Sequence, residues 1–308
     1  MAHLLSIIIV NYNGLKFLRE CLLSIAEHAA CPHEVIIVDN ASTDGSREYL
    51  REHFPEVTLV TSEKNLGFAG GNNLGAAHAK GDLLLLLNND ARLMSSLMPA
   101  IRAFETDEQL GVLGCRMSYS DDRLQPSIGF EATPLRLVLS WVGIGRFKFA
   151  PAIFKRVDND ACHYLSTREA AWVSGAFLMT RQELWGRLGG LDERYFMYIE
   201  DVDYCKRTRM AGYRVAYTPN VKIIHYEGGG KLWVGERALT DSMKSYIIYL
   251  KKYHNKYAEL FVRFILGSVM AARALIYGIE SLIISSALYK EKKEGYLRAS
   301  LFLMRIGE

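Results

Sequence analysis

The sequence predicts an α/β fold: a mostly parallel sheet flanked by helices, followed by a helical C-terminal region. Between Leu4 and about Met117, short β-branched or leucine-rich runs alternate with helix-like segments, the pattern of βαβ units. These runs are apolar throughout, as strands covered by helices on both faces are. Beyond Pro219 one more strand gives way to long helical patterns.

The predicted strands are residues 4–10 (LLSIIIV), 34–39 (EVIIVD), 57–62 (VTLVTS), 82–88 (DLLLLLN) and 111–117 (GVLGCRM). Residues 118–168 carry Pro126, Pro134 and Pro151 and no sustained period, and read as an irregular insert. A second apolar block, Ala170 to Thr180, precedes a helix over Arg181 to Leu188, a Gly189-Gly190 break and the aromatic, acidic segment Tyr195 to Tyr204. A helix running to about Ala211, a strand at 221–226, a loop at Gly228-Gly229-Gly230 and two long helical patterns complete the chain. The expected division is a domain over 1–235 and a helical region over 236–308.

Composition narrows the function. The 308 residues are 50% hydrophobic and 23% charged, globular usage that excludes a disordered or collagen-like chain. A net charge of +3 spread over this length advertises no nucleic-acid surface. Five cysteines without a CxxC pair indicate neither a disulfide framework nor a zinc knuckle, and suit a reducing cytoplasm. Met1-Ala2-His3 runs directly into an apolar strand, unlike a signal peptide. Arg263, Arg273 and Glu280 interrupt the one long apolar region, which argues against a spanning helix.

In a parallel α/β sheet, ligands sit beyond the carboxyl ends of the strands. Those ends are polar here: Asn11-Tyr12-Asn13-Gly14, Asp39 to Gly45, and Asn88-Asn89-Asp90. Asp39 closes an apolar run, where a carboxylate can accept from a base N–H or ribose hydroxyls. Ser42 to Gly45 read equally well as a helix-capping turn. Asn65 to Asn73 form a glycine-rich turn able to bring Gly67 and its neighbours close to a nucleoside, although such turns also occur without ligands. Asp90 with a flanking amide suffices for a divalent ion whose other positions are filled by phosphates and water; a polar strand cap is the alternative. Glu200-Asp201 either supply a general base or complement the dipole of the helix they open. His225 ends an apolar strand and, on its own, is more often a satisfied core histidine than a metal ligand.

Taken together, the phrases SIIIVNYNG, VDNASTDGS, NLGFAGGNN, LLLLNND, VSGAFLMTR, GGLDERYFMYIEDVDYCKR and IIHYEGGG resemble the family-2 inverting glycosyltransferases of the A-type nucleotide-sugar fold. The likeness covers about residues 4–230 and is greatest to bacterial rhamnosyltransferases of cell-surface polysaccharide synthesis. It implies a nucleotide-binding sheet, with Asp39 on the nucleobase and Asn11, Tyr12, Asn65, Gly67, Asn72, Asn88, Asn89 and Gly175 around a dTDP- or UDP-linked sugar. It implies Asp201 as base beside Glu200, and Mg²⁺ or Mn²⁺ on Asp90 and His225. Asn88 replaces the first acid of the family's D-x-D. A nucleotidyltransferase and an inactive nucleotide-sugar-binding module are the rival readings.

From Tyr257 to Tyr289 only Glu259, Arg263, Arg273 and Glu280 are charged, and they fall within an arc of about 100° on a helical wheel. So apolar a helix packs in an intramolecular helical bundle or, the favoured reading, makes a homodimer seam or lies in the membrane interface, with Lys290, Lys292 and Lys293 near anionic headgroups. The expected setting is the inner face of the cell membrane, with peripheral contact and a glycan or lipid-linked saccharide as acceptor.

Overall fold

A computed structural model describes residues 4–143, 151–226, 236–283 and 287–305. The anticipated Gly228 to Gly230 loop and the 235/236 boundary lie outside these. Two compact units divide the chain. The first comprises 1–130, 157–196 and 200–228; the second comprises 131–156, 197–199 and 229–308.

The first unit opens with β1 (Leu5–Asn11), α1 (Leu15–His28), β2 (His33–Asn40), α2 (Ser46–His53), β3 (Thr58–Ser62), α3 (Gly67–Ala76) and β4 (Leu83–Leu87). These β-α-β units follow the sequence reading to within about two residues at each end. β5 (Ala91–Leu93), α4 (Met98–Thr106), β6 (Leu110–Ser118), β7 (Leu124–Gln125) and β8 (Ile128–Gly129) come next. Passing over α5 (Pro134–Val142), which belongs to the second unit, the first unit resumes with β9 (Arg168–Glu169), β10 (Trp172–Val173), β11 (Phe177–Arg181), α6 (Gln182–Leu188), α7 (Glu200–Met210) and β12 (Arg214–His225).

The main sheet runs β3-β2-β1-β4-β11-β6-β12-β5, with β7 beside β6 and β9 beside β12. Its first four strands are parallel, as expected. β11 then enters antiparallel between β4 and β6, so the fifth run of the sequence reading pairs in parallel with β12 and not with β4. β12 begins seven residues before its expected start at 221, and the sequence reading does not contain β5.

The five leucines of β4 are each at most 2% exposed, because this strand is covered on both faces and hydrogen-bonded at both edges. Helix α3 approaches the sheet closely through its glycines. A Cβ on Gly71 would come within 2.7 Å of Val10, and one on Gly75 within 2.5 Å of Ile8. Two of the four glycines among residues 67–75, Gly71 and Gly75, are therefore accounted for by helix-on-sheet packing.

The second unit holds α5 (Pro134–Val142), α8 (Glu236–Tyr253), α9 (Lys256–Ile283) and α10 (Ala287–Met304). Three C-terminal helices thus stand where two long patterns were read. By length and composition Lys256–Leu282 could cross a membrane, with a third of its most apolar stretch buried. The inward face of α9 carries its charges: Arg263, 4% exposed, binds Glu259 at 2.8 Å and the Arg305 carbonyl at 3.4 Å, while Arg273 donates to the Trp141 carbonyl at 2.7 Å.

Candidate active site

Parallel register places Asn11 directly opposite Asp39 at the carboxyl ends of β1 and β2. Both side chains are fully buried. Asp39 Oδ1 accepts from the Ser42 N–H at 3.1 Å and from Arg47 Nε, whereas its Oδ2 is buried without a hydrogen-bond partner. An orphaned, buried carboxylate oxygen is costly and marks a place where a ligand donor would be bound strongly.

Around Asp39 the polar groups hold one another. Asn11 donates to Ser42 Oγ at 3.1 Å and accepts from Asn89 at 2.8 Å. Gly14 has no room for a Cβ, which would meet the Asn89 amide at 2.0 Å. Tyr12 stands 48% exposed at the rim. Asn40, which the sequence reading passed over as a site residue, orders the glycine-rich turn by donating to Asn65 Oδ1 and the Gly67 carbonyl and accepting from the Leu66 N–H. Gly67, at φ +72°, admits the Phe196 carbonyl against its backbone. Asn72 is buried and donates to the Phe68 carbonyl within its own helix.

The Asn88 to Asp90 segment is a tight turn closed by the Ala91 N–H on the Asn88 carbonyl at 3.1 Å. It sets Asp90 Oδ1 3.2 Å from His225 Nε2, and the Asn88 amide 3.1 Å from the same nitrogen. His225 Nδ1 lies 3.3 Å from Gln125 Oε1. In the tautomer whose Nδ1 donates to Gln125, Nε2 is an electron-pair donor that faces Asp90 and the Asn88 amide. Gln125 belongs to a two-residue strand in the irregular insert, where no sequence pattern singles it out.

This donor set fits a divalent cation: a carboxylate, an imidazole and an amide that presents its oxygen after a half-turn. Among the described residues no group of three or more His, Cys, Asp or Glu is arranged to hold an ion, so phosphate oxygens and water would complete the coordination. Cys21, close by, donates its thiol to the Asn88 carbonyl. Burial, reinforced by the negative Asp90, pushes its thiol far above the ordinary range.

At the start of α7, Asp201 Oδ2 accepts the Gly175 N–H at 2.9 Å and Oδ1 accepts the Val202 N–H at 2.8 Å. A Cβ on Gly175 would press on the Phe68 ring at 3.1 Å, so glycine allows this close seat. Beside it Glu200 is 5% exposed, and its Oε2 has no hydrogen-bond partner. Burial first, and the Asp201 charge second, raise the Glu200 pKa well above its ordinary value. Tyr198 and Ile199, just before, both adopt left-handed backbone at φ +69° and +71°, which is rare and strained for the β-branched Ile199.

A profile of Glycosyl transferase family 2 matches residues 6–164, just over half of the chain. The chain belongs to glycosyl transferase family 2. This glycosyltransferase is 26% identical over 291 residues to the N-acetylglucosaminyl-diphospho-decaprenol L-rhamnosyltransferase of Mycobacterium tuberculosis, covering 89% of this chain and 92% of that one. It is 25% identical to the rhamnosyltransferase WbbL of Escherichia coli K12, covering 80% and 92%. Among solved structures its fold is similar to a mannosyltransferase of Pyrobaculum calidifontis in complex with GDP-Man and Mn²⁺, at TM-score 0.57 and 19% identity over 98% of this chain and 87% of that one. It is also similar to GalNAc-T7 with UDP, GalNAc and Mn²⁺, at TM-score 0.60 and 17% identity over 81% and 48%. These structures establish the A-type fold.

Proposed function

We propose that the enzyme transfers a sugar, rhamnose as the relatives' names suggest, from a dTDP- or UDP-linked donor to a hydroxyl of a glycan or polyprenyl-diphosphate-linked acceptor. The setting is cell-surface polysaccharide synthesis at the membrane. The observation that carries this reading is the orphaned Oδ2 of Asp39, a buried acceptor at the strand end where a nucleobase N–H would be received.

In the proposed reaction Asp201 takes the proton of the acceptor hydroxyl as that oxygen forms its bond to the anomeric carbon. The bond from that carbon to the diphosphate oxygen breaks on the opposite face, so the configuration inverts. Backbone donors from Gly175 and Val202 hold the Asp201 carboxylate in place. Glu200, held toward its protonated form by burial, leaves the negative charge of the pair on Asp201. Asp90, His225 and Asn88 would hold Mg²⁺ or Mn²⁺, which when bound supplies charge neutralisation at the departing diphosphate. Gln125 orients His225 for that role.

Incubation with a panel of dTDP- and UDP-sugars, following slow hydrolysis, tests the reading. One donor should be hydrolysed with release of nucleoside diphosphate. Failure of every nucleotide sugar to bind would leave Asp39 without its assigned ligand and overturn it.

A further inference from the structure

On α9 the amphipathic arrangement is inverted relative to that of a surface helix. Every exposed residue between Tyr257 and Leu282 is uncharged. Tyr257 (83%), Phe261 (52%), Phe264 (64%), Leu275 (67%), Ile279 (52%) and Leu282 (87%) stand in the open. At 100° per residue the exposed positions fall in an arc of about 140°, and Glu259, Arg263, Arg273 and Glu280 occupy the opposite side. Arg263 and Arg273 are turned inward, where Arg263 binds Glu259 and carbonyls at the end of α10 and Arg273 caps the Trp141 carbonyl of α5. The stripe is about 38 Å long at 1.5 Å per residue. So large an uncharged surface on a water-facing helix, apolar but for Ser268, marks a binding site.

We infer that this outward face of α9 lies in the plane of an anionic lipid bilayer, immersed to about the depth of its side chains. A spanning orientation would expose Arg263 and Arg273 to hydrocarbon after stripping them from the carbonyls they bind. An in-plane orientation keeps those bonds and buries only what is already uncharged. Charge selects the lipid over a second copy of the chain. The exposed ionic residues of α9 and α10 are basic in excess, with Lys256, Lys290, Lys293 and Arg298 against Glu291 and Glu294. Two such surfaces would repel each other, while anionic headgroups would neutralise them. The membrane face rests on the proposed function only for its purpose, access to a membrane-held acceptor.

The test is flotation of the full chain with phosphatidylcholine vesicles, with and without phosphatidylglycerol, beside sedimentation without lipid. The wild type should float with the anionic vesicles, lose binding in high salt and sediment as a monomer. The exposed-site triple variant Phe264→Gln, Leu275→Gln, Ile279→Gln should partition at least about tenfold less. A wild type that stays with the soluble fraction, or a lipid-indifferent dimer dissolved by the triple variant, overturns the inference. Donor hydrolysis, measured without vesicles, separates the two claims: an inactive chain that still floats supports the membrane face while failing the enzymatic reading.

Discussion

Asp90 Oδ1 and His225 Nε2 face each other at 3.2 Å, while Gln125 Oε1 holds the other His225 nitrogen at 3.3 Å. Two electron-pair donors so placed repel unless a proton or a cation lies between them. Activity should therefore need Mg²⁺ or Mn²⁺ and vanish in Asp90→Ala, with His225→Ala less severe. Gln125→Leu should weaken the apparent metal affinity by about 10- to 100-fold by releasing the imidazole. Titration of activity against metal concentration measures all three, and full activity in a strong chelator would remove the metal from the account.

The pairing of Asp201 with Gly175 makes a second expectation. Asp201→Asn keeps the shape but cannot accept a proton, so transfer should fall about 10²-fold or more while donor binding is retained. Rate and calorimetric donor affinity are to be measured on the same preparation. Transfer within tenfold of wild type would move the base elsewhere, with Glu200 the next candidate.

Glu200 holds its proton to higher pH in the folded chain than in the unfolded one. As pH rises past the unfolded carboxyl's pKa, the unfolded chain ionises first, so the raised group destabilises the fold increasingly toward alkaline pH. Glu200→Gln should accordingly raise the melting temperature more at pH 8 than at pH 5. A tenfold difference in proton affinity between the folded and unfolded chain is worth about 1.4 kcal/mol, or about 2 °C in a chain of 308 residues. Equal effects at both pH values would show that burial does not hold the proton.

Asp39→Asn should weaken binding of free UDP or dTDP about 10- to 100-fold, the loss of a hydrogen bond to a buried charge. Arg47→Ala is the control, since it removes the partner of Oδ1 without touching Oδ2. Isothermal calorimetry reads both. Unchanged affinity in Asp39→Asn would leave Oδ2 with a structural role only.

The glycine-rich segment carries a stability expectation in place of a binding one. Gly71→Ala would press on Val10 and Gly75→Ala on Ile8, each costing about 1–3 kcal/mol by overpacking. Thermal unfolding should show it.

Much of this was legible in the residues because strand ends are where such sheets act: the run closing on Asp39 and the five leucines before Asn88 both locate the edge that matters. The antiparallel entry of β11 was not legible, since Phe177 to Arg181 is as apolar as a parallel strand and nothing local sets its direction. Gln125 was hidden for a similar reason, a two-residue strand having no period to read. On α9 the wheel gave the charged arc, but only the carbonyls awaiting Arg263 and Arg273 decide that this arc faces inward.

The most direct measurement is of the products formed from the hydrolysed nucleotide sugar and a polyprenyl-diphosphate-linked saccharide, with the new linkage assigned by NMR. The account requires nucleoside diphosphate release and inversion at the anomeric carbon, both lost in Asp201→Asn. Retention of configuration, or pyrophosphate release from a nucleoside triphosphate and a sugar phosphate, would contradict it.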